Sequence, residues 1–311
     1  MTRLTIVVPC HNEEAVLPES SKRLDALLGT LQEQDRISDG SQVVFVDDGS
    51  RDSTWALIEE LAAANPRLRG IKLSRNYGHQ SALLAGLMNV EGDVVISVDA
   101  DLQDDLSVIA DMITSNEEGA DVVYGVRSAR DTDTFFKRMS ATLYYKLLNR
   151  MGVDVVFNHA DYRLLSRRAL EALKDYSEVN LFLRGIVPTL GFKSAIVSYV
   201  RNERFAGESK YPLHKMLGLA IDGITSFSAF PLHLIAALGL VMFLVSLALS
   251  SWVLWTRLFT ENAIPGWASS VLPMYLMGGI QLFSIGVLGE YISKVYLETK
   301  RRPRYIIEKS V

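Results

Sequence analysis

Apolar positions in the N-terminal part of the chain keep two rhythms. Mostly apolar runs of strand length recur at Leu4–Val8, Val43–Val46, Asp93–Val98 and Asp121–Gly125, and Gly70–Leu73 and Asp161–Leu165 also read as strands though they contain Lys72 and Arg163. Between them, apolar residues fall at helical spacing. Val16, Leu24, Leu27, Leu28 and Leu31 do so within Glu13–Leu31, and the stretches ending at Ala64, over Gln80–Val90 and over Leu106–Glu118 read the same way. Continuous apolar runs mark parallel strands buried on both faces, and the helical stripes supply the covering layers. The alternation predicts an α/β domain, a mostly parallel sheet with helices on both faces. Asp52 or Ser53 is the predicted N-cap of the second helix, and Asn65-Pro66 its stop.

Beyond Pro231 the pattern changes. Charge disappears as far as Gly289, except at Arg257 and Glu261. As a helix, Leu234–Trp255 would be about 33 Å long, enough for a hydrocarbon core of about 30 Å. Ala263–Gly289 is a second uncharged stretch whose Gly and Pro content suits a membrane helix. Together they predict a C-terminal two-helix transmembrane hairpin over 230–290. Lys210 and Lys215 precede it, and Lys294, Lys300, Arg301, Arg302, Arg304 and Lys309 follow. That distribution puts both termini and the catalytic part on the cytoplasmic side of the cell (inner) membrane, with two spans. Leu213, Met216, Leu217, Ala220, Ile221, Ile224 and Phe227 form one stripe, predicting an amphipathic juxtamembrane helix over 211–229. The plan is a catalytic domain over 1–210, that helix, the hairpin, and a cytoplasmic tail over 291–311. Within the tail, Tyr291–Lys300 reads as a further helix and Arg304–Ile307 as a short strand.

A net charge of −4 gives no support to a nucleic-acid partner. The single cysteine, Cys10, excludes an internal disulfide, fits a reducing compartment and reads as a packing residue. Met1-Thr-Arg-Leu leads directly into the first strand, with no signal-peptide pattern. A homo-oligomer is left open.

Candidate chemistry sits at strand ends. The run Val94–Val98 stops at Asp99 and Asp101. Residues i and i+2 of an extended chain point the same way, and strand carboxyl ends face the ligand crevice of open α/β sheets. Two carboxylates so placed suit one hard cation, Mg2+ or Mn2+, whose shell is completed by water and substrate phosphates. For an isolated pair the alternative is a strand end before an acidic helix start at Asp104 and Asp105. The first two strands end in acidic turns, Pro9-Cys-His-Asn-Glu-Glu14 and Asp47-Asp-Gly-Ser50. Such turns repel a bare phosphate but accept hydrogen bonds from a nucleobase or ribose. Neither a G-x-G-x-x-G after the first strand nor a G-x-x-x-x-G-K-[ST] is present, against dinucleotide dehydrogenases and P-loop enzymes.

In this order, Val7-Val-Pro-Cys-His-Asn-Glu-Glu14, Val46-Asp-Asp-Gly-Ser-Arg-Asp52, Arg75-Asn-Tyr-Gly-His-Gln-Ser-Ala82 and Asp99-Ala-Asp-Leu-Gln103 resemble the inverting glycosyltransferases of family 2. That family has the GT-A, Rossmann-like fold. Asp161-Tyr-Arg-Leu-Leu-Ser166, Phe182-Leu-Arg-Gly185 and Glu203-Arg-Phe-Ala-Gly-Glu-Ser-Lys-Tyr-Pro212, followed by the hairpin, are similar to the polyprenyl-phosphate glycosyltransferases. Bactoprenol glucosyltransferases fit best, with dolichyl-phosphate mannose synthase more distant. The resemblance implies a nucleotide-sugar donor, a divalent metal and a polyprenyl phosphate acceptor in the membrane. It implies Pro9, Asn12, Glu14 and Asp48 around base and ribose, Asp99, Asp101 and Gln103 on metal and diphosphate, and Asp161 as the catalytic carboxylate. His11 and His79 read as loop residues, since magnesium prefers oxygen.

A phosphate monoester has a second pKa of about 6 and arrives largely ionised. The burden then shifts from a strong general base to positioning and charge neutralisation. Cations are expected for the acceptor phosphate and the departing diphosphate, and Arg suits them best. Arg138 is assigned to the reacting centre with Asp161 and Asp101, Arg127 to the nucleotide sugar, and Arg204, Ser209 and Lys210 to the acceptor phosphate. Loss of Asp161 is expected to hurt less than loss of Asp99 or Asp101. The expected reaction moves glucose from UDP-glucose to undecaprenyl phosphate with inversion. Competing readings are a GDP-mannose or UDP-aminosugar donor, a processive synthase (its Q-x-x-R-W is absent) and a non-catalytic nucleotide-sugar-binding membrane protein.

Overall fold

The computed structural model describes residues 1–101, 103–127, 159–179, 181–200, 230–259 and 267–311, apart from some side chains of the last two helices. The strands are β1 (Leu4–Cys10), β2 (Gln42–Asp47), β3 (Leu68–Leu73), β4 (Val94–Ser97), β5 (Val122–Arg127), β6 (His159–Ser166), β7 (Ser194–Tyr199) and β8 (Ile307–Ser310). The helices are α1 (Leu17–Glu33), α2 (Thr54–Ala64), α3 (His79–Asn89), α4 (Ile109–Glu117), α5 (Arg167–Lys174), α6 (Leu183–Thr189), α7 (Phe230–Phe259) and α8 (Trp267–Thr299).

All eight strands join one sheet in the order β7-β5-β6-β4-β1-β2-β3-β8. Strand β1 is central and wholly buried, and pairs in parallel with β2 and β4. The β2–β3 and β5–β7 pairs are also parallel, while β6 and β8 run antiparallel to their neighbours. Alternate residues of β1 face opposite layers, as the pleat requires. Leu4, Ile6 and Val8 pack with Leu24 and Leu28 of α1 and Met112 of α4. Val7 packs on the other face with Leu83, Leu84 and Leu87 of α3 and Leu170 of α5. The predicted α/β architecture is therefore present, with the sheet mixed rather than purely parallel.

Differences from the sequence pattern have local causes. Helix α1 starts at Leu17, with Pro18 in its first turn, where a missing N–H costs nothing. The stretch predicted as one helix over Leu106–Glu118 opens as a 3₁₀ turn, Leu106–Val108, capped by the Asp105 side chain on the Ser107 N–H. Ser53 is the N-cap of α2 without a side-chain bond; Asp52 instead accepts from the Thr54 N–H and hydroxyl. The predicted tail helix is the continuation of α8, a single helix from Trp267 to Thr299. The tail strand begins later than predicted and caps the β3 edge, with Lys72 to Glu308 at 3.2 Å and Lys309 to Glu59 at 2.5 Å.

The predicted spanning hairpin needs correction at this level. Among the described residues no helix is long and apolar enough to cross a membrane. The sequence reading counted every position of Leu234–Trp255 and Ala263–Gly289, several of which fall outside the described residues or side chains. The predicted juxtamembrane helix over 211–229 also lies outside them.

Helix α3 must seat closely, because its first turn reaches the carboxyl end of the sheet. A Cβ on Gly86 would stand 2.3 Å from Cγ1 of Val7 and 3.0 Å from Cγ2 of Val46. Gly86→Val should therefore destabilise the protein by about 1–3 kcal/mol, the usual cost of overpacking. Thermal unfolding of the full chain checks this, and an unchanged melting temperature would show that α3 is not seated so tightly.

Candidate active site

The site forms where β6 is inserted antiparallel beside β4. Their register pairs Val94 with Ser166 and Ser97 with Arg163. Carried two residues further, that register sets Asp161 opposite Asp99. The Ser97 hydroxyl donates to the Asp161 carbonyl and pins the strands there.

Asp161 is buried and held from three elements. Arg163, only 1% exposed and two residues along β6, places Nη2 2.5 Å from Oδ1 and donates from Nη1 to the Leu183 carbonyl at 3.2 Å. Arg184, in the first turn of α6, approaches with Nε at 3.3 Å and Nη2 at 3.2 Å. Gln80 of α3 donates to Oδ2 at 3.3 Å, and its own carbonyl accepts from the Leu183 N–H at 3.1 Å. His79 Nε2 lies 3.4 Å from Asp161 Oδ2 and 3.8 Å from Asp99 Oδ1. Burial alone would raise the Asp161 pKa, but His79, Arg184 and Arg163 overcome it and hold the carboxyl well below the ordinary carboxylate value. Asp161 is a fixed anion and a poor proton acceptor.

Asp99 is in the opposite condition. Burial, only partly offset by His79, combines with Asp104, Asp161 and Asp101 to push its pKa up to about 6. Negative charge is in surplus at this end of β4, which is what a bound cation would relieve. Gln103 is buried nearby, and its N–H donates to Asp101 Oδ1 at 3.2 Å. Among the described residues no group of three or more His, Cys, Asp or Glu is gathered to hold a metal ion. Two carboxylates and an amide nevertheless match the all-oxygen, substrate-completed shell of magnesium or manganese. The donor set fits the group.

The residues assigned to the donor pocket bind one another's loops. Pro9 is buried in β1, opposite Val46. Both Asp48 carboxylate oxygens accept backbone N–H bonds, from Tyr77 at 2.7 Å and Gly78 at 2.9 Å. Asn12 has φ of 56°, its side-chain oxygen accepts from the Arg51 N–H at 2.9 Å, and its own N–H donates to Ser50 Oγ at 2.9 Å. Glu14 Oε2 accepts from the Ser53 N–H at 3.0 Å. Gly49, at φ of 63°, lets the loops meet, since a Cβ there would fall 2.4 Å from the Arg75 carbonyl carbon. These contacts make Asn12, Glu14 and Asp48 ties between three neighbouring loops. Arg127 ends β5, with Nε donating to the Tyr199 hydroxyl at 3.1 Å.

The structure thus gathers Asp99, Asp101, Gln103 and Asp161 at one end of the sheet and Pro9, Asn12, Glu14 and Asp48 along its neighbouring loops. Arg138, Arg204, Ser209 and Lys210 lie outside the described residues. Sequence reasoning missed His79, Gln80, Arg163 and Arg184. His79, set aside as a loop residue, is the first residue of α3 and stands between two carboxylates. Arg163 had a readable signal, since a strand residue two places after a buried Asp shares its face. His79 and Gln80 had none, because only the antiparallel placement of β6 brings Asp161 to them.

The model of glycosyl transferase family 2 matches residues 5–174. An uncharacterized glycosyltransferase of Bacillus subtilis is 50% identical over 98% of this chain and 91% of its own length. A prophage bactoprenol glucosyl transferase homolog of Escherichia coli is 40% identical over 99% of both chains. The bactoprenol glucosyl transferase of Shigella phage SfII is 40% identical over 99% of this chain and 98% of its own.

Replacing Asp161 by Asn leaves Arg163 buried without its counter-charge, and breaking such a pair costs about 3–5 kcal/mol. Because the Asp161 pKa is depressed, its contribution is complete above the ordinary value of 3.8 and is lost as pH falls toward the folded-state value. The stability gap between parent and Asp161→Asn should therefore be widest in mild acid, where His79 is also charged, narrow as His79 loses its proton at higher pH, and close in strong acid. Thermal melts across that range check it, and a gap constant into strong acid would contradict the fixed-anion assignment.

Proposed function

The chain belongs to glycosyl transferase family 2, and we propose that it moves one glucose from UDP-glucose to undecaprenyl phosphate with inversion at the anomeric carbon. The observation that carries this reading is the division of charge between neighbouring carboxylates. Asp161 is locked as an anion by two arginines, a histidine and an amide, while Asp99 carries unrelieved negative charge. Asp161, held by these cations, is suited to positioning other groups rather than to removing a proton. A phosphate acceptor is the substrate that needs no proton removed. Relatives 40% identical over nearly the whole chain and named bactoprenol glucosyl transferase support the lipid acceptor and the sugar.

Asp99, Asp101 and Gln103 would hold the divalent metal, which when bound acts as a Lewis acid toward the departing diphosphate. Pro9 and the loops tied by Asn12, Glu14 and Asp48 would take the base and ribose. Arg127 would meet the diphosphate. An oxygen of the acceptor phosphate attacks the anomeric carbon while the bond from that carbon to the nucleotide diphosphate breaks. Asp161, unable to take a proton readily, holds Arg184 and His79 at the reacting centre. Arg138 is assigned beside them, and Arg204, Ser209 and Lys210 to the acceptor phosphate.

Helices α7 and α8 supply the lipid-facing part of this reading. Leu240 is 61% exposed, Trp255 62%, Leu282 73% and Phe283 69%. Large apolar surfaces left uncovered mark sites for a partner or membrane, and an acceptor with a polyprenyl tail resides in one. We assign this exposed apolar surface to contact with the membrane that holds the acceptor.

Incubation of full-length protein with labelled UDP-glucose, a divalent metal and undecaprenyl phosphate tests this. One lipid-linked glucose per acceptor is expected, and Asp99→Asn and Asp101→Asn should lower the rate at least about a hundredfold, as loss of one electrostatic stabiliser typically does. A long polymer, binding without turnover, or transfer only from a different nucleotide sugar would contradict the proposal.

A further inference from the structure

A further buried carboxylate stands beside the loop assigned to the metal, and the reaction above does not use it. Asp104 is 2% exposed, one residue beyond Gln103. Its Oδ1 accepts from the Tyr199 hydroxyl and lies 3.5 Å from Nη2 of Arg127. Arg127 in turn donates from Nε to the Tyr199 oxygen at 3.1 Å, closing a three-membered ring of contacts. The strands make this ring possible, because Arg127 and Tyr199 are register partners at the ends of β5 and β7. Tyr199 is itself buried and braced edge-on by Tyr162, with ring centroids 5.3 Å apart. Tyr162 also donates its hydroxyl to the Asp105 carbonyl at 3.0 Å. A Cβ on Gly125 would stand 2.8 Å from the Tyr162 ring, so the absence of a side chain there lets the tyrosine cross β5.

Burying a carboxylate beside Asp99 and Asp101 works against stability. The second oxygen of Asp104 is buried and accepts no hydrogen bond from the protein, which adds to the cost. What the arrangement achieves is alignment. It ties both Asp104 and Asp105 to the strands behind them. It also holds the guanidinium of Arg127, a quarter exposed at 26%, by two of its nitrogens.

We propose that Asp104 and Tyr199 are positioning residues for the diphosphate end of the site, acting through Arg127. The inference rests on the functional reading above. Neither residue needs to touch substrate; together they aim a guanidinium. Partners that orient metal ligands typically change affinity by about 10–100-fold when removed.

The test uses purified full-length protein and measures Mn2+ binding in the presence of UDP by electron paramagnetic resonance. Parent, Tyr199→Phe, Arg127→Gln and the double variant form a cycle. Tyr199→Phe is expected to weaken Mn2+–UDP binding by about tenfold or more, and to raise the KM for the nucleotide sugar while leaving that for undecaprenyl phosphate unchanged. If the hydroxyl acts through Arg127, adding Tyr199→Phe to Arg127→Gln should cost less than about twofold more, the non-additivity of residues in one network. Where Tyr199→Phe fails to fold, Asp104→Asn replaces it in the same cycle. Parent-like binding by the variants, or effects that multiply fully in the double variant, overturns this inference alone. A parent protein that binds no Mn2+–UDP overturns the functional reading and this inference with it.

Discussion

An antiparallel strand wedged between parallel ones sets the charge balance on which the rest of this molecule depends. Because β6 runs against β4, Asp161 arrives opposite Asp99, and two carboxylates share a partly buried space. Like charges at that range cannot both remain ionised without help. The fold distributes that help unequally. Arg163 and Arg184 both go to Asp161, and His79, standing between the two, leans on Asp161 at the shorter distance. Asp99 is left with negative charge that His79 offsets only in part.

That inequality separates the roles of the carboxylates more clearly than their positions in the sequence do. An anion held below the ordinary carboxylate range serves to orient other groups. A carboxylate raised toward neutrality by its neighbours gains most from a hard cation beside it. Burial acts on both, so the difference comes from the partners. The same logic extends to Asp48, whose two oxygens accept from the Tyr77 and Gly78 amides and so fasten the neighbouring loop.

Much of this was legible beforehand. Mostly apolar runs located β1, β2, β4 and β5 and helical spacing the helices between them, because a strand buried on both faces leaves little room for polar positions. Strands β3 and β6 carry Lys72, Asp161 and Arg163 and gave weaker signals. The Asp99–Asp101 pair was readable because its i, i+2 spacing follows directly from the pleat. The strand β7, whose side chains alternate between exposed and half-buried, lacks such a run and was not read. Contacts between Asp161 and residues 79, 80, 163 and 184 depend on strand order and direction, which local pattern does not carry. Attachment of the tail is of the same kind. Glu298 at the end of α8 accepts from the Val179 N–H at 2.9 Å, Arg304 donates to the Tyr176 carbonyl at 2.6 Å, and β8 closes the β3 edge. The long C-terminal helix is thereby tied to the catalytic sheet from two sides.

On the proposed reaction the nucleophile arrives as an anion, and Asp161 does not remove its proton. The most direct measurement is the pH dependence of kcat/KM for acceptors that differ only in the acidity of the phosphoryl group, such as a polyprenyl phosphate and its more acidic difluoromethylphosphonate analogue. The account predicts that the acid limb of the profile moves with the acceptor, down in pH for the more acidic one. An acid limb that stays in place for both acceptors and disappears in Asp161→Asn would make Asp161 the base and contradict the account.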